Sequence, residues 1–126
     1  MTVAILVVDD EPANVNLFKL LISIEKPDWV FHGAYTGQEA LAIAAHNDID
    51  LVILDIMMPG MDGFEVCRRL RADPKTAKIP IAMFTALDRP DVRHQAKEVG
   101  ATEFWVKPLP PSKLVTAIER LLAGYK

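Results

Sequence analysis

This chain of 126 residues has a single cysteine, Cys67, so it carries no disulfide framework and no cysteine-based metal site. Its histidines, His32, His46 and His94, are scattered and lack metal-ligand spacing. His94 reads as a surface histidine. No apolar run approaches the ~18 residues a membrane span needs. Met1-Thr2-Val3 leads straight into an apolar strand pattern and leaves no room for a signal peptide, so the expected location is the cytoplasm. Basic charge is not in excess: the net charge of −3 gives no electrostatic reason to expect nucleic-acid binding. Arg68, Arg69 and Arg71 are the densest basic patch and read as a solvated helix face. Repeats, low-complexity stretches and internal linkers are absent. What is present suits one compact domain over residues 1–126, with an ordinary balance of 51% apolar and 25% charged residues.

Strand and helix signals alternate along that length. Apolar β-rich runs lie near Val3–Val8, Trp29–Tyr35, Asp50–Leu54, Ile79–Phe84 and Thr102–Val106. After the first, Pro12 suits an opening helical turn, and Leu17, Leu20, Leu21 and Ile24 repeat at helical spacing as one apolar face. Thr36 and Glu39 form a capping box for a second helix, which Asn47-Asp48 closes. A third helix carries Phe64, Cys67 and Leu70 and ends near Asp73-Pro74, with Cys67 as a small buried apolar residue. Asp88 is the expected cap of a fourth helix bearing Val92, Ala96 and Val99, with Gly100 at its C-terminus. A last helix carries Leu114, Ala117, Ile118 and Leu121 on one face, with Val115 and Leu122 off that stripe. Five strands alternating with five helices predict an α/β fold, a parallel sheet with helices on both faces.

Strands buried on both faces read as continuous apolar runs, and their last residues collect at one sheet edge. That edge is where ligands bind in open α/β sheets. Here it would gather Asp9, Asp10, Asp55, Thr85 and Lys107. Crowded carboxylates repel, and a divalent cation relieves them. With only oxygen ligands at hand, Mg²⁺ or Mn²⁺ is favoured over zinc. A carboxylate can also act as a nucleophile and form an aspartyl phosphate. Lys107 would then neutralise phosphoryl charge, and the Thr85 hydroxyl would donate to a phosphate oxygen. Taken singly, each residue has a plainer reading. Asp9-Asp10 reads as a helix cap, Asp55 as a loop carboxylate, Thr85 as a strand-end threonine and Lys107-Pro108 as a turn. Their conjunction on four strand ends discriminates.

These residues, with Met57-Met58-Pro59-Gly60-Met61-Asp62-Gly63 after Asp55, resemble the receiver domain of bacterial two-component response regulators, from Val3 to about Leu122. The resemblance implies a doubly wound, flavodoxin-like sheet of strand order 2-1-3-4-5. It implies Asp55 as phosphoacceptor, and Asp9, Asp10, Asp55 and the Met57 backbone carbonyl as Mg²⁺ ligands. Thr85 resembles the switch hydroxyl, Phe104 the switch aromatic and Lys107 the phosphoryl-pairing lysine. A cis Lys107-Pro108 bond is also implied. Trp105 should face the other side of the sheet as a packing residue. The implied partners are a sensor histidine kinase or histidine phosphotransfer protein, and an output partner or domain that reads the fourth helix, fifth strand and last helix. Val115 and Leu122 suggest a second copy of the chain as another occupant of that surface. Such a protein is a signalling switch that catalyses only its own phosphorylation and dephosphorylation. Met57 and Leu87 occupy positions that tune phosphoryl lifetime in the family, and both are apolar here. The runner-up is a haloacid-dehalogenase-type phosphatase, which needs an acid/base aspartate two residues after its nucleophile. Met57 follows Asp55 at that distance, and Glu11 follows Asp9. A receiver kept only as a scaffold is a third reading, against which the complete residue set argues.

Overall fold

The computed structural model describes residues 2–124. Met1, Tyr125 and Lys126, the ends of the expected domain, lie outside the described residues. Strands β1 (Ala4–Val8), β2 (Val30–Ala34), β3 (Leu51–Leu54), β4 (Ile81–Thr85) and β5 (Glu103–Val106) alternate with five helices. The helices are α1 (Pro12–Glu25), α2 (Gly37–His46), α3 (Gly63–Ala72), α4 (Pro90–Glu98) and α5 (Pro111–Ala123). The sheet order is β2-β1-β3-β4-β5, and every pairing is parallel.

Side chains alternate across the sheet and build two cores. Leu6, Val8, Val52, Leu54, Ile81 and Met83 pack with α2, α3 and α4. Ile5, Val7, Leu51, Ile53, Ala82 and Phe84 pack with α1 and α5. Phe104 joins the first core and Trp105 the second, as the alternation predicts. Trp105 is buried, and its indole N–H donates to Glu103 Oε1 at 2.7 Å.

Local chemistry explains the helix ends. The Thr36 hydroxyl accepts from Glu39 N–H, while the Glu39 carboxylate accepts from Tyr35 N–H, one residue earlier than a strict capping box. The Asp62 carboxylate accepts from Glu65 N–H at the start of α3. Gly100, at φ +98°, closes α4 in a Schellman motif, with Ala101 N–H on Ala96 O and Gly100 N–H on Lys97 O.

Four sequence expectations are corrected. The buried face of α1 is Val15, Phe18 and Ile22, whereas Leu17, Leu20 and Ile24 are exposed and only Leu21 is partly buried. Two apolar stripes share this helix, and the sheet covers one of them. Asp88 does not cap α4: Arg89 is the N-cap residue, Pro90 opens the helix, and Asp88 instead pairs with Arg93. Arg71 leaves the solvated arginine face, which keeps Arg68 and Arg69 paired with Glu65. Its guanidinium donates to the carbonyls of Gly100, Ala77 and Ile79. Val115 is buried and Leu122 packs against the second core, so neither is a protruding docking residue. No helix among the described residues is long and apolar enough to cross a membrane.

Candidate functional site

Backbone pairing continues one residue past the strand ends. Asp9 N–H donates to Ala34 O at 3.0 Å and Asp55 N–H to Val8 O at 2.9 Å. This sets Asp9 and Asp55 side by side at the carboxyl edge, with Asp10 next in line. Both Asp9 and Asp55 are buried. One carboxylate oxygen from each of Asp9, Asp10 and Asp55 lies within 4.8 Å of the others, the arrangement a hard divalent cation would use. The donor set therefore fits Mg²⁺. Asp9, Asp10 and Asp55 are the group of metal-capable side chains found among the described residues, and no histidine belongs to it.

Lys107 crosses this cluster. Its Nζ donates to Asp9 Oδ2 at 2.7 Å and to Asp55 Oδ2 at 3.2 Å. The backbone N–H of Lys107 donates to Thr85 O at 2.8 Å, which ties β5 to β4 at the same edge. The Lys107-Pro108 bond is cis. Thr85 is buried, and its hydroxyl oxygen accepts from Leu87 N–H at 3.3 Å, which leaves the hydroxyl proton to donate. Phe104 stands half-buried on β5. The Met57 side chain is 59% exposed, while its N–H approaches Asp55 Oδ1 at 3.4 Å.

The electrostatics follow from burial. Desolvation pushes the Asp55 carboxyl above its ordinary range; Lys107 opposes that shift and Asp9 adds to it. Burial also works against the Lys107 charge, but the hydrogen bond to Asp9 and the field of both carboxylates outweigh it and raise its pKa. Asp55 is thus a carboxylate held ready beside one ammonium, with repulsion that a cation would relieve.

Two residues at the site carry no obvious sequence signal of a role there. Asn14 Nδ2 donates to Asp9 Oδ2 at 3.1 Å from the first turn of α1. Gly63 N–H donates to Ile56 O at 2.9 Å, and α3 begins against the end of β3. Gly63 entered the sequence reading only as the last residue of the Met57–Gly63 stretch after Asp55, with no role of its own. A cleft of about 640 Å³ opens at the opposite, strand-start edge between Val3, Trp29, Pro80 and Leu122, and shares no residue with the acidic cluster.

The family model described as the response regulator receiver domain matches residues 5–119. Response regulator PleD of Caulobacter vibrioides is 44% identical over 121 residues, covering 96% of this chain and 26% of PleD. Protein PilH of Pseudomonas aeruginosa is 34% identical over 120 residues, covering 95% of this chain and 98% of PilH. The chain spans about a quarter of PleD and about half of several transcriptional regulators that it matches. Among solved structures, chemotaxis protein CheY4 of Vibrio cholerae superposes with a TM-score of 0.88 at 30% identity, covering 96% of this chain and 99% of that one.

Proposed function

Because the chain belongs to the response regulator receiver domain family, we propose that residues 1–126 act as one phosphorylation-controlled switch with Asp55 as the acceptor. The observation that carries this reading is the Lys107 ammonium lying across Asp9 and Asp55 within the three-carboxylate cluster.

A partner's phosphohistidine supplies the phosphoryl group. An Asp55 carboxylate oxygen attacks phosphorus as the phosphorus–nitrogen bond breaks. The electron pair returns to the imidazole nitrogen, which takes up a proton. Asp9, Asp10, Asp55 and the Met57 carbonyl would hold Mg²⁺, and when bound that ion neutralises charge on the transferring group. Lys107 pairs with the phosphoryl oxygens from its place beside Asp55. The Thr85 hydroxyl, whose oxygen is already oriented by Leu87 N–H, donates its proton to a phosphoryl oxygen.

The phosphoryl group carries roughly −1.5 to −2 charges, by analogy with phosphorylated hydroxyl residues, in place of the single negative charge of the Asp55 carboxylate to which it is joined. Thr85 and Lys107 close on it, Phe104 turns inward, and the α4–β5–α5 surface changes. A local charge event thereby biases a two-state element. An output partner or domain, or a second copy of the chain, reads that surface; the donor is a histidine kinase or a histidine phosphotransfer protein.

The test is intact mass after incubation with acetyl phosphate and Mg²⁺, wild type beside Asp55→Asn, with a chelator control. A gain of one phosphoryl group in wild type alone, lost with the chelator, is expected. No gain in wild type, or the same gain in Asp55→Asn, overturns the assignment.

A further inference from the structure

Phe104 precedes Lys107 by three residues on β5, and its ring packs against the core beneath α3 and α4. Arg93 of α4 lies over that ring, with Cζ 4.7 Å from the centroid. The arginine is held in place: its Nε donates to Asp88 Oδ1 at 2.7 Å. Asp88 belongs to the loop between β4 and α4, three residues past Thr85. In that loop Asp88 N–H donates to Ala86 O at 3.1 Å, and Leu87 N–H donates to Thr85 Oγ1 at 3.3 Å. Contacts therefore run without a gap from the Thr85 hydroxyl through the loop to Asp88, then to Arg93, then to the Phe104 ring.

A guanidinium over an aromatic face is attracted by the ring quadrupole. Its bond to a carboxylate fixes where the cation sits. Phenylalanine has no hydroxyl to anchor it in any orientation, so the groups around its ring set its resting place. Among the described residues, Arg93 is the cation found over that ring.

We propose that Arg93, oriented by Asp88, is the positioning residue that holds Phe104 in its unphosphorylated orientation and so sets the resting bias of the α4–β5 face. This rests on the switch reading of Thr85 and Phe104 given above. A pull on the Thr85 hydroxyl moves the loop backbone, displaces Asp88 and draws Arg93 off the ring. Removing Arg93 releases the ring with no phosphoryl group present. An exposed cation–π contact corresponds to roughly a two- to five-fold change in a conformational equilibrium.

The test places 4-fluorophenylalanine at position 104 of the full chain. Fluorine spectra are recorded for wild type, Arg93→Gln, Arg93→Lys and Asp88→Asn, each before and after acetyl phosphate with Mg²⁺. Intact mass gives the phosphoryl uptake rate on the same samples. In unphosphorylated Arg93→Gln, the resonance should move toward the position wild type takes on phosphorylation. Uptake by that variant should quicken roughly two- to five-fold. Asp88→Asn should move part of the way, and Arg93→Lys, which keeps a cation over the ring, should stay near wild type.

An Arg93→Gln resonance unchanged from wild type overturns the proposal. So does an equal shift in Arg93→Lys, or, where wild type takes up the phosphoryl group, a shift without a faster uptake. Failure of the underlying reading looks different: wild type then takes no phosphoryl group, or takes one while its own resonance stays still. In that event, the comparison of unphosphorylated variants still decides whether Arg93 positions the ring.

Discussion

Gly63 sits so close to Asp55 that a Cβ built on it would come within 2.3 Å of the Asp55 carbonyl oxygen. The same atom would lie 2.7 Å from the Ile56 Cα, so both neighbours are backbone and neither can swing aside. The start of α3 is pressed directly against the segment that presents Asp55. Gly63→Ala should cost about 1–3 kcal/mol through overpacking and slow phosphoryl uptake by displacing Asp55. Urea denaturation and the acetyl phosphate assay check both. Gly124→Ala is the control, because its nearest neighbouring atom is 3.6 Å away.

The raised pKa of Asp55 has a definite sign in stability. The folded chain holds the Asp55 proton to higher pH than the unfolded chain, chiefly because the carboxyl is buried. Folded protein therefore binds more protons between the ordinary value of 3.8 and the raised one, and stability falls as pH rises through that window. Asp55→Asn should be more stable than wild type at neutral pH without Mg²⁺, with the advantage fading as pH drops through the window. Lys107 acts oppositely: its raised pKa marks stability that is present at neutral pH and lost only in strong alkali. Urea midpoints of both proteins across a pH series are the measurement. A difference that does not change with pH would exclude this account.

Arg71 ties the end of α3 to the following turn at residues 77–79 and to Gly100, 29 residues away. It donates to Gly100 O at 2.9 Å, Ala77 O at 3.1 Å and Ile79 O at 2.6 Å. Arg71→Leu strips those carbonyls of a charged donor and should cost about 2–3 kcal/mol. The urea midpoint should drop with the slope unchanged, since the surface exposed on unfolding stays the same. Arg68→Leu, on the exposed face beside Glu65, should change stability by less than about 1 kcal/mol.

Met57 and Leu87 lie two residues past Asp55 and Thr85, with side chains that cannot orient a water molecule by hydrogen bonding. The exposed Met57 side chain offers an attacking water no orientation. Self-dephosphorylation should be slow, with a half-life of minutes or longer once acetyl phosphate is removed. Met57→Asn, which adds an amide, should shorten it severalfold. Intact mass against time is the readout, and a wild-type half-life of seconds in Mg²⁺ would rule the idea out.

Much of the acidic edge was legible because it depends on strand ends. A strand covered on both faces must be apolar at successive positions, so Ala4–Val8 and Leu51–Leu54 announce themselves, and the residues that follow are the ones the edge presents. The roles of Asn14 and Gly63 were not legible. An asparagine in a first helical turn and a glycine after an aspartate are each common for purely local reasons, and their contacts with Asp9 and Asp55 depend on how α1 and α3 turn back against the ends of β1 and β3.

The same division runs through the molecule. Sequence alone determined the alternating strands and helices and the gathering of Asp9, Asp10, Asp55, Thr85 and Lys107, because periodic burial is written in consecutive side chains. The tertiary structure decided which stripe of α1 is covered. Val15, Phe18 and Ile22 and the exposed Leu17, Leu20 and Ile24 follow the same helical spacing, so periodicity cannot choose between them. It likewise decided that Arg71 reaches inward while Arg68 and Arg69 stay in solvent, and that Arg93 lies over Phe104. Those outcomes depend on which elements the packed sheet brings together.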